Sequence, residues 1–540
     1  MAREARCQGT TVSNTNGVGG PAITLPGIPA TCDQPHVIAQ MLRRASSLGF
    51  DAWWQRAQSV GFCAHPIQLV GTDQYGREKM VWARCNNRRA NVCPSCSDLY
   101  ARDTWQLVAA GTTGGRHGIS PGVADRPQVF ATLTAPSFGA VHASTGGTCR
   151  DHRRTGEFRR CPHGKPLWCN TNHNQNDRKV GQPLCGDCYD YTAHVLFTWY
   201  LPELWRRFTI ALRRNITRTL KAAEVELKSI RVSFVKVVEM QARAVPHVHA
   251  LIRLDPAIPP TDPVTTAPGD HEDYCPAATR GGRELRHQID PSWQPPISAS
   301  ELAALIQHTA RSLAYEVPDP TAENPDDADP LTVRFGNQID TQPLTSETPC
   351  NQTEYSAAGS TGRLSPRRVA GYLAKYVTKS LADFGINPRR LSTEAIAELD
   401  VTEHVRTILT TVADLSDRAR KSGIGTLVGI GRWLHTLGYR GHITTKSRRY
   451  SVTMGALRGI RASWTRAQTA KHTTPQQQSA LDAGAADDSV WWEFDRAGHA
   501  TPGDRTLVVS AALRHIHTRR TGLVESRAQR DAEPPGAGDG

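Results

Sequence analysis

No stretch of this chain approaches the roughly eighteen uninterrupted apolar residues that a membrane span requires, and the opening MAREARCQGTTVSNTNGVGG lacks the apolar core of a secretory signal. A membrane-embedded or secreted role is therefore not expected; a cytoplasmic one is. Acidic residues are also in deficit, with 51 Asp and Glu against 64 Lys and Arg, a formal charge of +13. An imbalance of this kind points to a polyanionic partner, because basic surfaces gain affinity by releasing counterions from phosphates. There is no internal repeat. Strands and helices are interleaved without a regular βαβ order, which favours an α+β domain over a doubly wound sheet. What is present is ample: 540 residues at 39% apolar content can supply cores for two to four domains.

Thirteen cysteines in a reducing compartment are poor candidates for disulfides, and nine fall between Cys63 and Cys188, which suggests metal. CPSC (93–96), preceded by Cys63 and Cys85, can close a four-thiolate zinc site in a ribbon-like module, with His65 as a substitute ligand. CGDC (185–188) forms a second knuckle with Cys161 and Cys169 as expected partners and His163 and His173 as competitors. Four protein ligands leave no open position for chemistry, so both zinc sites read as structural. Cys7, Cys32, Cys149, Cys275 and Cys350 remain unassigned.

The expected organisation is a partly disordered N-terminal region (1–60), a zinc-binding cysteine module (61–110), and a larger α+β domain (111–390) interrupted by a second cysteine-rich insertion (149–190). A helical and basic C-terminal region (391–515) follows, then a disordered tail (516–540). Strands are expected at 128–134, 231–241 and 247–254 and near 331–340, and helices at 201–220 and 298–317. Pro- and Asp-rich segments at 255–298 and 316–330 read as long loops. VWWEFDRAG…RTLVVSAAL (490–513) reads as a late hairpin.

Two short stretches carry chemistry. In VPHVHALIRL, strand alternation puts His247 and His249 on one face, and a turn centred on Arg243 would set Glu239 opposite His247. Two imidazoles and a carboxylate make a divalent-cation site with open positions; taken alone, a His-x-His pair is more often an ordinary strand end. In GYLAKYVTKS, helical spacing places Tyr372, Lys375, Tyr376 and Lys379 within one arc of about 100°. Tyrosines at the rim of an apolar stripe are common, but a lysine beside each phenol favours its ionised, nucleophilic form. A further stretch, TKSRRYS, offers Lys446, Arg448 and Arg449 for phosphate contacts, or simply a solvated loop.

The order FATLTAPSFG (130–139), PHVHALI (246–252), YLAKYVTK (372–379) resembles motifs 1, 2 and 3 of the HUH-type rolling-circle replication initiators, two-tyrosine branch. CNNRRANVCPSC, PLCGDCYDY, LWRRF, HVHALIRLD, GYLAKYVTK and GHITTKSRRYS are similar to the RepSA-type initiators of actinobacterial plasmids and integrative elements, over roughly residues 60–455. The resemblance implies an α+β fold with an HUH-endonuclease-like antiparallel sheet, flanking helices, zinc-ribbon-like modules and a helical C-terminal region. It also implies a metal-dependent, origin-specific single-strand DNA endonuclease and strand transferase. By motif, His247 and His249 match the ligands of a Mg or Mn ion, Tyr376 the main nucleophile and Tyr372 the second. The third ligand is not set by the motif; Glu239 is the geometric choice and Gln241 the fallback. Origin DNA, single-stranded at the nick, is the implied partner, together with host helicase and polymerase. A two-tyrosine single-strand transposase would share these residues. A non-catalytic zinc-dependent DNA-binding regulator would need only the cysteines.

Overall fold

The computed structural model describes residues 34–73, 75–150, 159–224, 230–257, 293–324, 328–344, 365–379, 381–386, 391–471 and 490–532. In chain order the main elements are α1 (Gln34–Ala45), α2 (Phe50–Ser59), β1 (Ile67–Thr72), β2 (Glu78–Ala83), α3 (Pro94–Thr113) and β3 (Gln128–Leu133). Then come α4 (Tyr191–Ala222), β4 (Ile230–Met240), β5 (Pro246–Pro256), α5 (Ala299–Ser312), β6 (Ala314–Val317), β7 (Leu331–Arg334) and β8 (Ile339–Leu344). The chain continues with α6 (Pro366–Tyr376), α7 (Glu403–Lys421), β9 (Thr444–Lys446), α8 (Met454–Lys471), β10 (Trp491–Ala497) and α9 (Pro502–Ala532). Among the described residues no helix is long and apolar enough to cross a membrane. The mixed α+β character and antiparallel sheets agree with the fold class expected from the sequence.

The chain divides into two compact units, but not at the contiguous boundaries expected: residues 1–103 and 460–540 form one, and 104–459 the other. In the first unit, β10 pairs along β1 from Thr72–Trp491 to Ile67–Ala497, and β2 flanks the other edge of β1. The late hairpin is therefore not formed. Its second arm belongs to α9, where Thr501 caps the backbone N–H of Asp504 at 3.1 Å and Pro502 opens the helix. That cap lets the apolar run at 507–513 satisfy a helix, whose Val508 and Val509 are fully buried. The helix extends to Ala532, so the tail expected from 516 onward is ordered to that point. The N-terminal region is likewise helical from Gln34, and its first 33 residues lie outside the described ones.

The second unit is built on a five-stranded antiparallel sheet in the order β8-β3-β5-β4-β9. Alternation sorts its residues: Val129, Ala131, Leu133, Val248, Ala250, Ile252 and Leu254 face the main apolar core, which α4, α5 and α7 complete. Thr132, Glu239, His247 and His249 lie on the opposite face. Helix α4 begins ten residues before the expected start, capped by Asp190 accepting from Ala193 N–H at 2.8 Å, and carries Pro202 inside it. Helix α5 ends at Ser312, and the AYEV segment expected to continue it pairs instead with β7. Most of the expected 255–298 loop, residues 258–292, lies outside the described residues.

Candidate active site

The β4–β5 hairpin sets the site. Its register pairs Glu239 with His247, as a turn centred on Arg243 requires. Arg243 ties that turn to the loop after β3, donating to the Pro136 carbonyl at 3.0 Å and to the Gln241 side-chain oxygen at 3.0 Å. The Gln241 amide in turn lies 2.8 Å from His247 Nδ1. The other ring nitrogen, His247 Nε2, is buried and has no hydrogen-bond partner. Burial first, then the neighbouring His249 and Arg243, hold the His247 pKa down at about 3, so its imidazole is neutral and keeps a lone pair. An orphaned buried imidazole nitrogen is costly unless something ligates it. His249 is nearly inaccessible at 2% exposure and has its Nδ1 3.2 Å from Thr132 on β3 and its Nε2 3.4 Å from Glu239.

Helix α6 brings the tyrosines to this face. Ser365 accepts from Arg368 N–H and Pro366 occupies the first turn, so the helix starts where its apolar positions begin. Val369, Leu373 and Val377 are buried, which turns the opposite flank toward the histidines. The Tyr372 hydroxyl lies 3.3 Å from His249 Nε2, and the Tyr372 and Tyr376 rings are 4.3 Å apart. Tyr376 is the last helical residue, and its ring centroid lies 5.5 Å from that of His249.

The lysines do not serve the two tyrosines equally. Lys379 lies 4.5 Å and Lys375 5.8 Å over the Tyr376 ring, whereas Tyr372 is edge-on to Phe130 and His249. Burial, reinforced by Tyr376 and then Glu239, pushes the Tyr372 phenol above its ordinary range. This corrects the expectation that each phenol has its own activating ammonium.

His247, His249 and Glu239 offer two nitrogens and an oxygen, a donor set suited to a divalent cation. They are less compact than the cysteine clusters, which among the described residues are the sets with all ligand atoms within 4.8 Å of one another. Glu239 is engaged instead by Lys379, whose Nζ lies 2.5 Å from Oε1. A cation of the protein's own thus neutralises the carboxylate.

The first cysteine set, Cys63, Cys85, Cys93 and Cys96, converges as its spacing suggests, with His65 outside it. Cys63 Sγ lies 3.8 Å from Cys93 Sγ and 3.6 Å from Cys96 Sγ. A tetrahedral site with Zn–S bonds of about 2.3 Å has edges of about 3.8 Å. The second set differs from expectation: Cys161, Cys185 and Cys188 gather with His163, not with Cys169. Cys161 and His163 share a tight turn, closed by Gly164 N–H donating to the Cys161 carbonyl at 2.9 Å. Cys169 is drawn away by its backbone bridge to Arg150 and joins His142, Cys149 and His173.

Residues 49–513 match the family described as RepSA, replication initiator protein, pSAM2. A replication initiator protein of Streptomyces ambofaciens is 33% identical over 534 residues, covering 94% of this chain and 99% of the relative. The chain belongs to the RepSA family of replication initiators. No solved structure matches it.

In this initiator the basic stretch is divided. Lys446 turns inward and donates to the carbonyls of Arg448 at 3.2 Å and Ser451 at 2.9 Å, and burial lowers its pKa. Arg448 and Arg449, by contrast, are exposed. A buried cationic knot escaped the sequence reading altogether. Asp255 is bound by Arg126 at 2.6 Å, Arg231 at 3.0 Å and Arg253 at 2.6 Å, and Arg253 first, then Ser233 and Arg126, hold its pKa well down against burial. Only the IRLD end of β5 hinted at it, by placing two charges on a strand that is otherwise apolar.

Proposed function

We propose that this replication initiator nicks and rejoins origin DNA through its tyrosines, starting rolling-circle replication. The observation that carries the reading is the convergence on His249 of Tyr372 and Tyr376 from helix α6 and of Glu239 from strand β4. Attack by the Tyr376 phenolic oxygen on the scissile phosphorus would form a 5′-phosphotyrosine bond and break the bond to the 3′ oxygen. The phenolic proton leaves, and the departing oxygen gains one to become a 3′ hydroxyl that host polymerase extends behind a helicase. Lys375 and Lys379, over the Tyr376 ring, would place positive charge where the phosphate binds. Tyr372, hydrogen-bonded to His249, would carry out the second transfer that closes the circle.

His247, His249 and Glu239 would hold the divalent cation, Mg or Mn, with Gln241 orienting His247. Such an ion supplies Lewis-acid polarisation of the phosphate when bound. Zinc at Cys63, Cys85, Cys93 and Cys96, and at Cys161, His163, Cys185 and Cys188, would be structural. Arg448 and Arg449 would contact the DNA backbone. The test is incubation of the protein with labelled single-stranded origin oligonucleotide and Mn²⁺ on a denaturing gel. A covalent adduct that requires metal is expected. Origin binding with no cleavage under any metal would favour the non-catalytic regulator.

A further inference from the structure

We propose that the cysteine-rich insertion is a cross-braced module holding two zinc ions, the second of them at His142, Cys149, Cys169 and His173. With the thiolate site of the first unit, this makes three zinc ions per chain. The inference does not depend on the nicking reading.

Three observations carry it. The first is edge length. His142 Nδ1 lies 3.2 Å from His173 Nε2 and 3.8 Å from Cys149 Sγ, and Cys169 Sγ lies 3.4 Å from His173 Nε2. A tetrahedral zinc with Zn–N bonds of about 2.0–2.1 Å and Zn–S bonds of about 2.3 Å has N–N edges near ~3.3 Å and N–S edges near ~3.6 Å. The second is the outer contact of His173. Its Nδ1 lies 2.5 Å from Asp177 Oδ2, and Asp177 is itself held by the Lys179 backbone N–H at 2.9 Å. A carboxylate on the far nitrogen of a ligating histidine sets its tautomer and raises its basicity. Ala143 N–H likewise donates to Cys149 Sγ at 3.1 Å, as suits a thiolate.

The third is the lack of any other core. Among the described residues from 140 to 188, the buried apolar side chains are Cys149, Cys161 and Cys185, and the buried polar one is His173. All four belong to the two clusters. A segment of this length whose fully buried side chains are all candidate ligands has little hydrophobic means of holding its shape, which a metal supplies.

Ligand order shows how the two sites are joined. Along the chain the pairs run His142 and Cys149, then Cys161 and His163, then Cys169 and His173, then Cys185 and Cys188, alternating between sites. Each site therefore closes around the segment that carries half of the other. The module in turn packs on the β4–β5 hairpin. Gly181, at φ +86°, packs so closely on the β4–β5 turn that an added Cβ would lie 2.3 Å from the Ala242 carbonyl.

The experiment is zinc analysis of the full-length protein, purified without chelator and dialysed, for the native sequence and two variants. Three zinc ions per chain are expected in the native protein. Cys149→Ser should retain two or fewer. Asp177→Asn, which keeps every ligand, should still bind three but release one to a competing chelator about 10–100-fold more readily. A native content of two or fewer, or a Cys149→Ser protein with undiminished zinc, overturns the proposal. So does an Asp177→Asn protein as resistant to chelator as the native one.

Discussion

Lys379 Nζ lies 2.5 Å from Glu239 Oε1, so the carboxylate expected to bind a divalent cation is already paired with an ammonium. Cation and lysine then compete for one oxygen. Replacing Lys379 with Met frees Glu239, and the Mn²⁺ concentration for half-maximal nicking should fall. At saturating metal the nicking rate should fall too, because the ammonium beside Tyr376 is gone. Titration of nicking against Mn²⁺ reads both; an unchanged midpoint would show that the pair does not gate the site.

The two tyrosines should separate cleanly. Tyr376 sits beneath both lysines, whereas the Tyr372 phenol is pushed up and hydrogen-bonded to His249. Tyr376→Phe should reduce the first covalent adduct to background, and Tyr372→Phe should keep it while failing to rejoin strands. Peptide mapping of the DNA-linked residue decides; an adduct on Tyr372 reverses the assignment.

His247→Ala and His249→Ala should each abolish metal-dependent nicking while leaving duplex-origin binding within about twofold of native. Removing His247 also removes a buried nitrogen with no partner, so that variant should lose little stability. Nicking that survives with native metal dependence would be inconsistent with the site.

Acid should weaken the second unit through His194. Tyr189 and the Ala244 carbonyl hold its ring nitrogens at 3.0 Å and 3.2 Å, and burial depresses its pKa to about 3 from an ordinary value near 6.5. The unfolded chain therefore takes up the proton first. Its contribution to stability is complete above about pH 6.5 and declines toward pH 3 by at most about 1.4 kcal/mol per pH unit. Urea midpoints at pH 7 and pH 5 for the native protein and His194→Gln should show a shallower fall in the variant.

Asp255→Asn removes the carboxylate that pairs with Arg126, Arg231 and Arg253. Leaving those guanidiniums unneutralised should cost about 3–5 kcal/mol. Chemical denaturation measures it, and a loss below about 1 kcal/mol would mean that solvent reaches the cluster.

By itself the sequence determined the local things. Period-two alternation set His247 and His249 on one face, the turn centred on Arg243 set Glu239 opposite, and helical spacing grouped Tyr372, Lys375 and Tyr376, while Lys379 lies past the end of the helix. These follow from backbone geometry within a few residues, so a short window contains them. Tertiary structure decided what depends on distant partners. Cys169 left Cys161 for His142 because a backbone bridge to Arg150 carried it there. AYEV became a strand because β7 offered an edge, and Trp491–Ala497 found its partner in β1, more than four hundred residues earlier in the chain. Lys446 turned inward because carbonyls of its own loop were within reach. Pairing energy between remote segments exceeded local preference at each of these places, and no short window of sequence carries that energy.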